Sequence, residues 1–346
     1  MKVLVTGGCG FLGSHVCEFY IRSGAEVVSY DNMTKHELLR TGFAADEARN
    51  FNLGYLKGLG VKLVTADVRN FEELTDNASG CDYIIHTAAQ PAMTISWEDP
   101  RLDISTNVLG TFNVLEAARQ LKIPTASCAT VHVYGNKINE TLSEGAMAYE
   151  RDPAAIDETH PTLEGTLTPL HASKAAADVY VRTYIETYKI DAASFRLTGI
   201  YGTRQFGGED HGWVANFAIR SILGRPITIF GTGKQVRDIV YATDVCEAFH
   251  AFYKTRKPGI YNIGGGRRTA ISLLKCIEIL TKINGARPEV RFGPDRHGDL
   301  RYFICDIEKA RCDLGWSPTV MPEEGITALV DWIKNTGLFF IDKAVQ

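Results

Sequence analysis

Apolar positions along this chain fall into two rhythms that alternate as far as Tyr201. Short runs rich in β-branched residues, such as Val3-Leu4-Val5, Val27-Val28 and Ile84-Ile85, stop at small or polar residues. Continuous apolar runs of that length suit strands buried on both faces. Between them, apolar side chains recur at helical spacing. The pattern predicts strands over Val3–Thr6, Glu26–Tyr30, Lys62–Ala66, Tyr83–His86, Pro124–Ser127 and Ala193–Leu197. It predicts helices after the first strand, over about Leu102–Leu121, and over Pro169–Tyr188, the last with Thr168 as cap and Pro169 at its first position. Strand and helix in alternation imply an α/β fold with a doubly wound parallel sheet.

Beyond Thr203 the alternation loosens. A helix from Trp213 to Leu223, a strand at Ile227–Ile229, a helix at Asp244–Thr255 and a strand at Ile260–Ile263 are expected, with a last helix from about Glu323 to Asn335. The expected division puts residues 1–203 and about 236–265 in the sheet domain. Residues about 204–235 and 266–346 form a smaller C-terminal cap. Two stretches break the rhythm: a polar excursion from Met33 to about Gly60, and a loop from Gly135 to about Thr168. The second is longer than connections in compact domains usually are, which favours a lid or substrate loop.

Composition removes some classes of function. With 346 residues, 45% apolar and 23% charged, the chain is an ordinary globular protein of one large domain or two moderate ones. A net charge of −4 without a basic run gives no reason to expect nucleic acid as a partner. The 8 cysteines are scattered, with no Cys-x-x-Cys pair, and read as reduced thiols of a cytoplasmic protein rather than metal ligands. No signal-peptide pattern or membrane-spanning run is present, so no membrane partner is expected.

The first strand runs into Gly7, Gly10 and Gly13, and a helical pattern begins there. The first glycine permits a tight strand-to-helix turn, the second lets backbone approach a diphosphate, and the third lets helix and strand pack closely. The helix N-terminus then offers amides and a positive dipole end to an anion. This is a Rossmann-type nucleotide site. Asp31 ends the second strand at the distance such a unit requires, where a carboxylate takes ribose hydroxyls and repels a 2′-phosphate. Asn32 follows in place of an arginine, so NAD is favoured over NADP. Asp67, closing the third strand beside Val68, either meets the adenine edge or caps a helix before Phe71. The small turn Thr87-Ala88-Ala89-Gln90 leaves room for a cofactor, and Asn107, a mediocre helix former, lies mid-helix.

Many of these residues stand together in one order: Thr6-Gly7-Gly8-x-Gly10-Phe11-x-Gly13-Ser14, His86-x-Ala88, Asn107-x-x-Gly110-Thr111, Val133-Tyr134-Gly135, Arg196, Tyr201-Gly202, Arg237-Asp238 and Tyr261-Asn262-Ile263-Gly264. Most of the chain thereby resembles the NAD-dependent epimerase/dehydratase family, the extended branch of the short-chain dehydrogenases. Gln90-Pro91-Ala92-Met93-Thr94, Arg204-Gln205-Phe206 with Gly212-Trp213, and Gly233-Lys234-Gln235-Val236-Arg237-Asp238 are similar to the CDP-paratose/CDP-tyvelose 2-epimerases within it. The resemblance implies a homodimer with tightly held NAD, built through the helices around Asn107–Gln120 and Pro169–Tyr188 with Val181 and Ile185 outward. It implies a nucleotide-sugar substrate oxidised to a ketone and reduced again. Cofactor contacts are expected from Gly7, Gly10, Phe11, Leu12, Gly13, Asp31, Asn32, Asp67, Val68, Ala88, Gln90, Asn107 and Lys174. Substrate contacts are expected from Met93, Thr94, Arg204, Gln205, Asn216, Arg237 and Arg296. The two arginines Arg237 and Arg296 suit a diphosphate, because a guanidinium fork meets two oxygens at once; surface ion pairs are the plainer account of them.

In the family a Ser or Thr hydroxyl, a tyrosine and a lysine four residues later carry the reaction. Here these positions are Thr130, Leu170 and Lys174, in the segment Thr168-Pro169-Leu170-His171-Ala172-Ser173-Lys174. Leucine cannot move a proton, and losing a general base costs roughly 10²–10⁴-fold in rate. Three accounts are open: another base serves, with His132 and His171 the candidates; the chemistry is that of a diverged dehydratase, decarboxylase or oxidoreductase; or the protein binds nucleotide sugar without turnover. An imidazole suits proton transfer near neutrality, although His132 also reads as a strand-end side chain, and His171 points away from its neighbour on a helix. The chain's Tyr253-x-x-x-Lys257 is a chance match, and His86 reads as structural.

Overall fold

The structure, a computed structural model, describes residues 1–34, 36, 38 and 45–336. Its centre is a parallel seven-stranded sheet. In chain order the strands are β1 (Lys2–Thr6), β2 (Glu26–Asp31), β3 (Lys62–Thr65), β4 (Tyr83–His86), β5 (Thr125–Thr130), β6 (Ala192–Leu197) and β7 (Gly259–Ile263). In space they lie β7-β6-β5-β4-β1-β2-β3, so the order reverses on either side of β1. Thr6 pairs with Tyr30 on one side and His86 on the other, so the carboxyl ends of β1, β2 and β4 open on one crevice. Such a reversal is where doubly wound sheets bind ligands.

Helices cover both faces, and the continuous apolar runs follow from that. Val3, Val5, Val16, Tyr20, Phe195, Phe249 and Phe252 pack on one side. Leu4, Val28, Leu74, Ile84, Val114 and Ala118 pack on the other. Tyr83 and Phe249 are tied across that core by a buried hydrogen bond of 3.1 Å from the phenol to a carbonyl.

A second set of elements stands over the carboxyl edge. Val236–Tyr241 pairs with Gly199–Tyr201, Ala270–Ser272 and Tyr302–Phe303, and Ile227–Phe230 pairs with Val290–Gly293. The helices Trp213–Ile222, Leu273–Asn284 and Pro322–Thr336 pack through Ile219, Ile277, Leu280, Ile326 and Val330. Two boundaries differ from expectation. Strand Val236–Tyr241 belongs to this second set and not to the main sheet, and Ala310, Leu314 and Trp316 pack into the main core. Apolar periodicity identifies an element, but the sheet edge it joins is decided by packing partners distant in sequence.

Three other expectations are corrected. The helix around Asn107 is broken into Pro100–Ile104, a π-helical turn at Ser105–Leu109, and Gly110–Leu121. Val181 is buried against Leu115 and Tyr184 and Ile185 is half-buried beside them; the outward apolar residues are Ile104, Leu109, Phe112, Val179 and Tyr180. The loop after Gly135 is no lid: Ile138, Tyr149 and Ile156 are buried in their own cluster with Phe303 and Cys305, and no residue from 133 to 169 lines the main cavity. The 8 cysteines are free thiols, and among the described residues no group of three or more His, Cys, Asp or Glu is placed to hold a metal. No helix among them is long and apolar enough to cross a membrane.

Candidate active site

A cavity of about 790 Å³ runs along the carboxyl edge of the sheet. It begins at the glycine turn. Gly7 has φ +69°, and a Cβ there would lie 2.7 Å from the Ala88 backbone. A Cβ on Gly13 would lie 2.0 Å from the Gly7 carbonyl oxygen. Gly13 is therefore a packing residue and does not reach the cavity, which Gly7, Gly10, Phe11 and Leu12 line. Gly10 gives the helix Phe11–Arg22 no side-chain cap, and its first turn carries no acid. The first amides and the dipole are left for an anion.

Asp31 stands beside this turn, oriented by the amides of Cys9 (2.9 Å) and Met33 (2.7 Å). Both leave carboxylate lone pairs for further donors. Two residues that sequence reasoning missed come from the polar excursion: Arg49 and Asn52 donate to the Cys9 carbonyl at 3.2 Å and line the cavity. Nothing in their spacing signals this, because a chain reversal brings them there. Asp67 follows β3 and is engaged locally. Arg69 and Asn32 hold its carboxylate, which lowers its pKa to about 2, and it does not line the cavity, whereas Val68 and Asn32 do. Nor does Asp67 cap the next helix; Asn70 does.

Asn107 is likewise a positioning residue behind the wall. Its carbonyl accepts from the Gln90 amide at 2.9 Å, and its amide donates to the Gln90 carbonyl, Asp103 and Ser173. The π-turn aims it at all of these. It ties the turn Ala88–Gln90, which lines the cavity, to the helix that carries Lys174. His86 is structural, held between the hydroxyls of Thr6 (2.7 Å) and Thr111 (3.1 Å).

Midway along the cavity, Thr130 at the end of β5 meets Leu170 and Lys174 on the first turns of the helix Pro169–Tyr188. Lys174 is only 8% exposed, and burial lowers its pKa. Among the described residues its ammonium has no hydrogen-bond or ion-pair partner, and it lines the cavity. Cys128 lies on the same strand two residues before Thr130, and burial raises its thiol to about 12, which leaves it a neutral wall residue. Leu170 is buried, and its amide donates to the Ser96 hydroxyl at 3.2 Å. His132 lines the cavity, while His171 lies behind it, holding the Thr168 amide at 3.2 Å as part of the helix cap. Tyr253 and Lys257 are remote: neither lines the cavity, and Lys257 pairs with Asp313.

The far end is charged. Arg237 pairs with Asp299 at 3.3 Å and donates to the carbonyls of Leu300 and Val236. Burial lowers the pKa of Arg237 and raises that of Asp299. Arg296 lies over the Phe230 ring at 4.0 Å and donates to the Glu209 carbonyl at 2.7 Å. Asp210 sits 3.9 Å from Arg296 and accepts from Thr94 at 2.8 Å, so this end is bridged from the Met93–Thr94 side. Asn216 and Gln205 line the same wall, Asn216 accepting from Arg220. Arg204 also lines the cavity. Its guanidinium is spent on Ser14, on Glu18 at 2.7 Å and on the Tyr55 ring, so it joins the second set of elements to the first helix.

A model of the NAD dependent epimerase/dehydratase family matches residues 3–264 of this chain. The CDP-paratose 2-epimerase of Salmonella typhi is 32% identical, over 97% of this chain and 100% of its own length. A putative UDP-glucose 4-epimerase of Methanocaldococcus jannaschii is 33% identical, over 96% of this chain and 98% of its own. Among solved structures, the UDP-glucose 4-epimerase of Thermus thermophilus in complex with NAD is similar, with a TM-score of 0.79 and 33% identity over 96% of this chain and 99% of that one.

Proposed function

This chain belongs to the NAD dependent epimerase/dehydratase family, and on that footing we propose that it is an NAD-dependent nucleotide-sugar epimerase of the CDP-sugar 2-epimerase kind. One observation carries the reading. A single cavity joins a glycine turn built for a diphosphate, then Thr130 and Lys174, then Arg237 and Arg296.

The residues present fit NAD. The turn has no room for a Cβ at Gly7 or Gly13, the helix beyond Gly10 is uncapped, and the Asp31 carboxylate beside the turn is oriented by two amides. Gly7, Gly10, Phe11 and Leu12 would hold the diphosphate, Asp31 and Asn32 the ribose, Val68 and Ala88 the adenine side, and Lys174 the nicotinamide ribose. When bound, NAD⁺ supplies a two-electron acceptor that lends the sugar carbon a ketone and then restores it. The protein's own share is placement. Thr130 accepts the His132 amide at 3.3 Å, so its hydroxyl proton is free to bond the sugar oxygen. Lys174 places positive charge where negative charge develops on that oxygen. Arg237 and Arg296 grip the substrate diphosphate, a pairing that guanidinium geometry favours.

The outward residues Ile104, Leu109, Phe112, Val179 and Tyr180 sit on the two helices that would meet across a two-fold, with Phe112 and Tyr180 in edge contact at 6.1 Å. That face supports a homodimer, which light scattering checks directly.

Denaturing the purified protein and identifying the released nucleotide tests the cofactor. Following a panel of CDP- and UDP-sugars by NMR tests the activity. Leu170 favours a second reading, a nucleotide-sugar-binding protein without turnover. Absence of both turnover and reduced cofactor on every sugar of the panel would sink the epimerase in favour of that one.

A further inference from the structure

With leucine at position 170, the cavity lacks the phenol that would exchange a proton with the sugar. The structure puts two imidazoles there. His132 lines the cavity two residues after Thr130, in the short turn that Thr130 caps, and its Nδ1 is buried without a partner. The His171 ring stands against it at 5.5 Å between centroids and at 90°. His171 is itself fixed: the Thr168 amide donates to its Nδ1, and the Thr168 hydroxyl lies 2.7 Å from the same nitrogen. A ring that accepts at Nδ1 carries its proton on Nε2, and that Nε2 is also buried without a partner. Two orphaned ring nitrogens on adjoining rings beside a cavity are costly to keep, since buried polar groups are normally satisfied.

Resting on the epimerase reading, we propose that His132 is the catalytic residue that takes and returns the sugar hydroxyl proton, and that His171 positions its ring. In the forward half, the O–H and C–H bonds of one sugar carbon break and the C=O double bond forms. The proton goes to His132, and the carbon's hydrogen leaves with both bonding electrons for NAD⁺. Return of the hydride to the opposite face of the carbonyl carbon, and of the proton from His132 to its oxygen, would close the cycle with no net oxidation.

The surroundings give this base a dependence on substrate. Burial, then His171, then Arg237, lower the His132 pKa to about 3, so the ring is neutral and, without substrate, a weak base. Facing groups are His171, Arg237 with its partner Asp299, and Lys174 across the cavity. A diphosphate on Arg237 offsets the guanidinium charge, so His132 becomes more basic when substrate is bound.

Two measurements test this. In the purified holoenzyme, ring-nitrogen NMR titration with and without CDP should show the His132 pKa moving up by about one unit or more with CDP. No movement overturns the coupling. His132→Ala should lower kcat by about 10²–10⁴-fold with NAD content and CDP affinity retained, and added imidazole should restore part of it. His171→Asn, which can still accept from the Thr168 amide, should lose less kcat than His171→Ala. Wild type that turns over while His132→Ala keeps its kcat within about threefold overturns this assignment alone. Wild type that neither turns over nor reduces its NAD on any sugar overturns the epimerase reading, and the assignment with it.

Discussion

At the glycine turn space is the scarce quantity: a Cβ at Gly13 would meet the Gly7 carbonyl oxygen at 2.0 Å, and one at Gly7 would meet the Ala88 backbone at 2.7 Å. At the start of the helix Pro169–Tyr188 the side-chain type is the scarce quantity. Leucine fits at 170, buried and with its amide bonded to Ser96, and the helix cap, the Lys174 position and the Asn107 tie are all in place around it. The turn is therefore constrained by what must be absent, and the helix start by what must be present for chemistry. The fold enforces the first constraint and is indifferent to the second. Leucine at 170 therefore leaves the cap, Lys174 and the glycine turn in place.

The sharpest way to break the comparison is Gly13→Ala. The clash is with backbone, which cannot swing aside, so overpacking should cost about 3 kcal/mol or more. The expected result is a lower Tm and no NAD on denaturation. A Gly13→Ala protein that purifies with full NAD would show that the turn is not sterically limited. Next comes Lys174→Met. Turnover should fall about 10²–10⁴-fold, yet Tm should rise, because a buried cation without a partner is expensive. The sign against pH follows. Burial lowers the folded pKa, so as pH rises the folded state releases this proton before the unfolded chain does. Stability then grows with pH above the folded value. Thermal melts across alkaline pH should show that growth in wild type and not in Lys174→Met.

Asp238 gives the opposite sign next door to Arg237 and sharpens the contrast between charges kept for a site and charges kept for structure. It is fully buried and does not line the cavity. Burial raises its pKa to about 7, opposed by donors from Cys305 at 2.8 Å and the Gly266 amide at 3.1 Å. The folded state therefore holds this proton to higher pH than the unfolded chain. Its contribution is fully present below about pH 4 and is lost as pH rises through about 7, by a few kcal/mol at most. Asp238→Asn should flatten the decline of Tm between those limits. An unchanged slope would show that the carboxyl is ionised throughout.

The same contrast explains what could be seen in the sequence. The doubly wound parallel class of the main sheet, the glycine turn and Asp31 were legible because each follows from a local rule: period, a missing Cβ, a strand end. Leu170 was legible as a departure because the surrounding cap and Lys174 fixed its register. The contacts that Asp67, Asn107 and Arg204 make were not legible. Each is a polar residue near the crevice in sequence order, and its partners (Arg69, Gln90 with Ser173, Glu18) are set by how the chain folds. Which way a polar side chain turns depends on donors brought up by other elements, and so does the cavity lining by Arg49 and Asn52. The long loop after Gly135 misled through its length, since its buried Ile138, Tyr149 and Ile156 make it a packed structure away from the cavity.

The smallest effect tests whether the helix start is coupled to the proton site at all. Thr168 caps the helix Pro169–Tyr188, and its hydroxyl lies 2.7 Å from His171 Nδ1. Thr168→Ala removes that oxygen and keeps the backbone amide that donates to the same nitrogen. Losing a threonine cap costs about 1 kcal/mol, which a denaturant midpoint resolves. If His171 only fills space, nothing else should change. If it holds the His132 ring, loosening it should lower kcat severalfold, with KM and NAD content unmoved. A fall in kcat without a change in KM is the mark of an interaction made in the transition state alone; a shifted pH profile of kcat would assign it to the perpendicular pair of rings and an unshifted one to Lys174 on the same helix.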